Sequence, residues 1–210
     1  MRMMYESNLN LLRSVRAETL RISQGLTQAQ LDFAPSPGKW TAGEVLDHIL
    51  LAEKLYRDLI GQLIDLTKAG RVAEIDKGFE DVNTSIFFIP QAVLPYLALP
   101  LTVFNMFVPG FVREAMTRFR LMPVQRPDIA SPRKGRPAAE IRDDLRASVA
   151  ATEALLAANQ SLDYTKMRYR HPLMGDNNVL QVLRIVSSHE QRHQSQLNDI
   201  LRSRAFPKAA

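Results

Sequence analysis

Apolar residues recur at intervals of three and four along four long stretches of this chain, and no stretch alternates firmly enough to read as a strand. That periodicity constrains the fold most, because each amphipathic helix must bury one face against another element. The first stretch runs from about Met4 to Gln24, with Leu9, Leu12, Val15, Thr19 and Ile22 on one side and Gly25 closing it. Thr27 caps a short turn through Leu31. "APSPGKW" follows as a loop, since Pro35 and Pro37 withhold backbone donors. The second helix starts sharply at Thr41-Ala-Gly-Glu44, a capping box in which hydroxyl and carboxylate each accept from the other residue's amide. It continues to about Lys68, ends near Gly70, and buries Val45, Ala52, Tyr56, Leu59 and Leu63, with His48 inside the same stripe.

A third helix is expected from Pro137 to about Asn159, with Ile141, Leu145, Val149, Thr152 and Leu156 inward. The fourth follows "MGDNN", where Asn178 and Gln181 form a capping pair, and extends to about Ser203. At about 100° per residue, Val182, Val186, His189, His193, Leu197 and Ile200 share roughly a third of its circumference. Both histidines therefore face the core. Four such helices predict an all-α four-helix bundle, and 210 residues suit a single domain over 1–210.

Between helices two and three, at about residues 71–136, the pattern breaks into an insert. Residues 86–112, "IFFIPQAVLPYLALPLTVFNMFVPGFV", carry no charge. The run is long enough for a bilayer, which needs about 20 apolar residues. Pro90, Pro95, Pro100 and Pro109 argue against a span, because they would leave backbone groups unpaired in hydrocarbon. The expectation is a proline-broken apolar segment that covers one end of the bundle, walls a pocket with Phe104, Met106 and Phe107, or meets a partner chain or membrane surface.

The chain carries 27 basic and 22 acidic residues, a net charge of +5 spread along its length. The densest basic runs, "SPRKGRP" (131–137) and the C-terminal "RSRAFPK", lack interleaved aromatics and read as solvated loops, so no nucleic-acid partner is expected. Cysteine is absent, which removes disulfides, thiolate ligands and a cysteine nucleophile. The N-terminal "MRMMYESNLN" has no apolar signal region, and the cytoplasm is the expected location.

Chemistry concentrates in "SSHEQRHQSQL". Residues four apart on a helix stand above one another, about 5–6 Å between Cβ atoms, so His189 and His193 can hold one ion from one strip of surface. His48 is the best-placed third ligand. Three neutral imidazoles suit zinc, nickel, iron or manganese and leave positions open, as catalytic sites require. Glu190 and Gln196 are the candidate acid–base or ligand-supporting groups. His171, before a proline in "HPLMG", reads as structural or pocket-lining. His189-Glu190-x-x-His193 also has the zinc-protease form, with Glu190 as general base. Only 17 residues follow His193, none of them histidine, whereas such proteases bring a last ligand from a later segment. A peptidase is therefore not expected.

"PSPGKWTAGEVLDHILLAE", followed far downstream by "HPLMG" and "HEQRHQSQL", resembles the DinB-like (DinB/YfiT) superfamily of metalloenzymes, at Trp40, Thr41, His48, His189, His193 and Gln196. The likeness covers about residues 1–70 and 137–205 and departs between about Gly70 and Arg136. It implies a four-helix bundle with a three-histidine site for a divalent metal, often in a homodimer. Characterised relatives include bacillithiol S-transferases, a mycothiol-dependent maleylpyruvate isomerase and the related domain of ergothioneine-forming sulfoxide synthases. The resemblance thus implies a small-molecule substrate and a low-molecular-weight thiol as cosubstrate. Two readings follow: a metal-dependent thiol S-transferase or metal-assisted hydrolase, and a non-catalytic module whose 86–112 segment binds a partner or membrane surface.

Overall fold

The structure is a computed structural model that describes residues 2–77, 131–171 and 175–208, with Ala115 between them. The expectations for the 86–112 run, Phe104, Met106 and Phe107 included, fall outside the described residues. Along the described chain lie α1 (Arg2–Ser23), α2 (Gln28–Leu31), α3 (Ala42–Lys68), β1 (Glu74–Asp76), α4 (Ala138–Ala157), β2 (Arg168–His171), β3 (Gly175–Asn178) and α5 (Val179–Leu201).

Local chemistry sets the helix ends. Thr27 with Gln30, Thr41 with Glu44, and Asn178 with Gln181 each form a complete capping box. Gly25 and Gly70 adopt φ of 78° and 66° just past α1 and α3, where a Cβ would be strained. Pro137 stands at the cap of α4 without a side-chain bond to offer. Gln28 supplies it from α2, its Oε1 accepting from the Ala138 amide at 3.0 Å. Gly43 serves a different need: a Cβ there would lie 3.2 Å from the Leu31 carbonyl, so the absent side chain lets α2 seat against α3.

The four long helices pack in a cycle, α1 against α4 and α5, and α3 against α4 and α5. Their apolar faces make two clusters. Leu12, Ile60, Leu63, Leu156, Met167 and Val182 belong to one, and Leu46, Ile49, Ile141, Leu145, Leu197 and Ile200 to the other. Truncating one such leucine to alanine costs about 2–5 kcal/mol. The stripe positions expected from the sequence are buried in all four helices, apart from Ile22, Tyr56 and His189, which are partly covered.

An all-α fold is corrected in one respect by a small sheet of order β1-β2-β3. β1 runs parallel to β2, with Ile75 opposite Tyr169, and β2 runs antiparallel to β3, with Tyr169 opposite Asn177. Tyr169 and His171 point inward and are buried, while Arg168 and Arg170 pair outward with Asp176 and with Glu74 and Asp76. The sheet has a positional role. β1 follows the end of α3 and β3 runs directly into α5 at the Asn178 cap, so the two histidine-bearing helices are tied together at one end.

Candidate metal centre

His48 projects from the second turn of α3, and His189 and His193 from consecutive turns of α5. The three rings meet. His48 Nε2 lies 3.3 Å from His189 Nε2, and His193 Nε2 lies 3.1 Å from the same atom. One nitrogen from each ring falls within 4.8 Å of the others, and among the described residues this is the group able to hold a metal ion. His48 and His193 are buried, while His189 keeps part of its surface open. The structure thus brings together the three residues chosen from the sequence.

The donor set fits a metal on geometric grounds. Two ligands bonded at about 2.0–2.1 Å to a tetrahedral ion stand about 3.3–3.4 Å apart, close to the spacings found. Gln196 Oε1, an acceptor, lies 2.9 Å from His193 Nδ1, so that nitrogen carries the proton and Nε2 presents a lone pair inward. A single proton on His189 Nε2 cannot serve His48 and His193 together, whereas a cation satisfies all three lone pairs. Burial lowers the pKa of His189 well below its ordinary value, and positive charge on His193, His48 and Arg192 would push it the same way. The ring is therefore neutral at physiological pH, the form that binds a metal. Trp40 closes one side, its ring centroid 4.7 Å from that of His48 and 6.1 Å from that of His193.

The other candidates separate. Gln196 touches the site through His193. Glu190 turns away from it: Oε1 accepts from Arg16 Nε at 2.8 Å and from the Thr19 hydroxyl at 2.6 Å, and Oε2 accepts from Arg16 Nη2 at 3.0 Å. Arg16 Nη2 also donates to Glu53 Oε2 at 2.7 Å, Nη1 to the Leu145 carbonyl at 2.6 Å, and Thr152 donates to Glu53 Oε1 at 2.9 Å. All four long helices contribute to this layer, and its side chains are almost wholly buried. Burial works against the Arg16 charge, but Glu190 and Glu53 reverse it and leave the pKa above its ordinary value. His171 sits on β2 with its ring 5.9 Å from Tyr169, outside the histidine cluster, and burial lowers its pKa to about 4.

The basic run 131–137 is anchored. Buried Asp47, next to His48 in the chain, accepts from the Arg133 amide at 2.7 Å and from Arg136 Nη1 at 2.8 Å, and Arg136 also pairs with Asp144. The sequence reads the run as a solvated loop, and Lys134 is exposed as that implies, but Arg136 is largely buried and paired within the fold.

The family model of the DinB superfamily matches residues 11–197, a span that includes all three histidines, Trp40 and Gln196. The chain belongs to the DinB superfamily. No curated protein and no solved structure matches it. Membership agrees with the mostly helical fold and with a three-histidine group positioned for a metal ion. Among the described residues no helix is long and apolar enough to cross a membrane. Sequence reasoning missed Arg16, Glu53 and Gln194. A signal for Arg16 was present, since it stands four residues after Leu12 and three before Thr19 on the apolar side of α1. A charge on such a face asks for a buried partner.

Proposed function

We propose that this DinB-superfamily chain is a divalent-metal-dependent enzyme acting on a small molecule, with His48, His189 and His193 as the metal ligands. The convergence of three Nε2 atoms, with Gln196 orienting one ring, is the observation that carries the reading. A divalent ion held by His48, His189 and His193 would supply Lewis acidity, which would lower the pKa of a thiol or water brought to it. His193 is oriented by Gln196, Trp40 shields two rings from solvent, and the partly open face of His189 leaves approach to the centre. Glu190 serves as a strut, because Arg16 and Thr19 already hold its carboxylate. A chain without cysteine fits a nucleophile brought by a thiol cosubstrate, and we favour thiol S-transfer, with metal-assisted hydrolysis as the variant in which water takes that place. The cyclic packing of the long helices supports a four-helix bundle, and we propose that it carries the 71–136 insert in one domain and acts in the cytoplasm as a homodimer.

The test is a panel of low-molecular-weight thiols and activated esters, each assayed with the zinc-, nickel-, iron- and manganese-loaded protein. Turnover that disappears in His48→Ala and on chelation is the expected result. Turnover that persists in His48→Ala refutes the assignment.

The uncharged run at 86–112 favours a second reading, in which that segment binds a partner or membrane surface and the metal only staples the helices. Deleting it discriminates. Association lost with metal retained supports the binding module, and thiol turnover lost supports the enzyme.

A further inference from the structure

The ligand pair His189 and His193 is shadowed along α5 by a second pair, Glu190 and Gln194, each one residue later and so about 100° around the helix. The first pair meets α3 at His48, and the second meets α1. Gln194 Nε2 donates to the Val15 carbonyl at 2.7 Å and to the Thr19 hydroxyl oxygen at 3.0 Å. That hydroxyl in turn donates to Glu190 at 2.6 Å, so one threonine joins both members of the pair. Arg16 then links Glu190 to Glu53, which stands on α3 five residues after His48. A continuous set of directional bonds therefore runs from the helix that carries two ligands, through α1, to the helix that carries the third.

Resting on the metal assignment above, we infer that Glu190 and Gln194 are positioning residues that fix the rotation of α5 and thereby set the distance between its histidines and His48. Apolar contacts alone are poor at this task, because buried leucines and valines tolerate small rotations. A side-chain tip lies about 5–6 Å from the helix axis, so a 10° turn moves it by about 1 Å. A functional constellation must be held within about 0.5 Å. The bonds to Arg16, Thr19 and Val15 resist such a turn.

The test uses the full-length untagged chain and Zn2+ alone, titrated against a chromophoric chelator, with thermal unfolding of the metal-free protein measured in parallel. The variants are Glu190→Ala, Gln194→Ala and the conservative Glu190→Gln. Glu190→Ala leaves Arg16 paired with Glu53, and Gln194 is only partly buried, so both are expected to fold, which the unfolding measurement checks. Leu156→Ala, on α4 and a party to none of these bonds, supplies a variant that is destabilised by core truncation with the clamp's own side chains intact. Zn2+ binding weakened about tenfold or more in both alanine variants, partly restored in Glu190→Gln and unchanged in Leu156→Ala, is expected. Binding within twofold of wild type in both alanine variants overturns the inference, as does an equal loss in Leu156→Ala. Absence of binding by the wild type for Zn2+, and then for Ni2+, Fe2+ and Mn2+ in turn, removes the metal assignment itself, a result distinct from either.

Discussion

Two groups of polar side chains are buried side by side in this molecule, and they are built on opposite rules. In the layer around Arg16 the members are complementary: a guanidinium between two carboxylates, with Thr152 on the other oxygen of Glu53 and Thr19 sharing Glu190 Oε1 with Arg16. In the cluster around His189 the members are alike, three imidazoles directing the same atom at a common point. The first group is complete within the protein. The second places its three nitrogens where they could hold one metal ion. Burial alone therefore does not separate architecture from function, whereas the chemical relation among the buried groups does.

Breaking the complementary group produces the largest expected loss. Arg16→Met leaves Glu53 and Glu190 without the guanidinium between them, with Arg57 still 4.0 Å from Glu53, and we expect a loss of about 3–5 kcal/mol in urea unfolding. Near-neutral stability would show that the layer is hydrated or rearranged.

A buried histidine outside the cluster, His171, provides the control. The His171 pKa is lowered from 6.5 to about 4, so between these values the unfolded chain binds more protons than the folded one. Its contribution is complete above about pH 6.5 and is lost as pH falls through about 4, a span worth about 3 kcal/mol. His171→Gln should flatten the stability profile over that window and leave metal content unchanged. His189, shifted in the same direction, retains its own part of the slope. An unaltered profile contradicts the assignment of the acid limb to His171.

Next comes Gln196→Leu, which removes the acceptor that fixes the His193 ring. Metal affinity should fall about 10–100-fold with little change in unfolding. Trp40, the chain's single tryptophan, lies against His48 and His193, so its fluorescence during a Co2+ titration reads the effect directly. The smallest effect is expected from Thr41→Ala. It deletes the cap that starts α3 seven residues before His48, at about 1 kcal/mol of stability.

What the sequence disclosed and what it withheld differ by the range of the forces involved. The Thr41–Glu44 and Asn178–Gln181 caps, the glycines after α1 and α3, and the placement of His48, His189 and His193 on inward faces are local or periodic properties, legible from a few neighbouring letters. The sheet is not of that kind. β1 is paired with residues nearly a hundred positions away, and β3 is Gly-Asp-Asn-Asn, residue types that disfavour strands unless a neighbour supplies the pairing. Glu190 was legible as an acid–base or ligand-supporting candidate beside His189 but not as a strut. Its role depends on Arg16, 174 positions earlier, and a one-residue offset from His189 turns it to another helix. Gln196 was named beside the histidines, and its contact with His193 Nδ1 gives that choice a physical content.

Elemental analysis of the untagged protein is the most direct test of the histidine centre. The account predicts about one equivalent of a divalent metal in the wild type and less than about a tenth in His189→Ala. Less than a tenth of an equivalent in both proteins, after exposure to zinc, nickel, iron and manganese in turn, would contradict it.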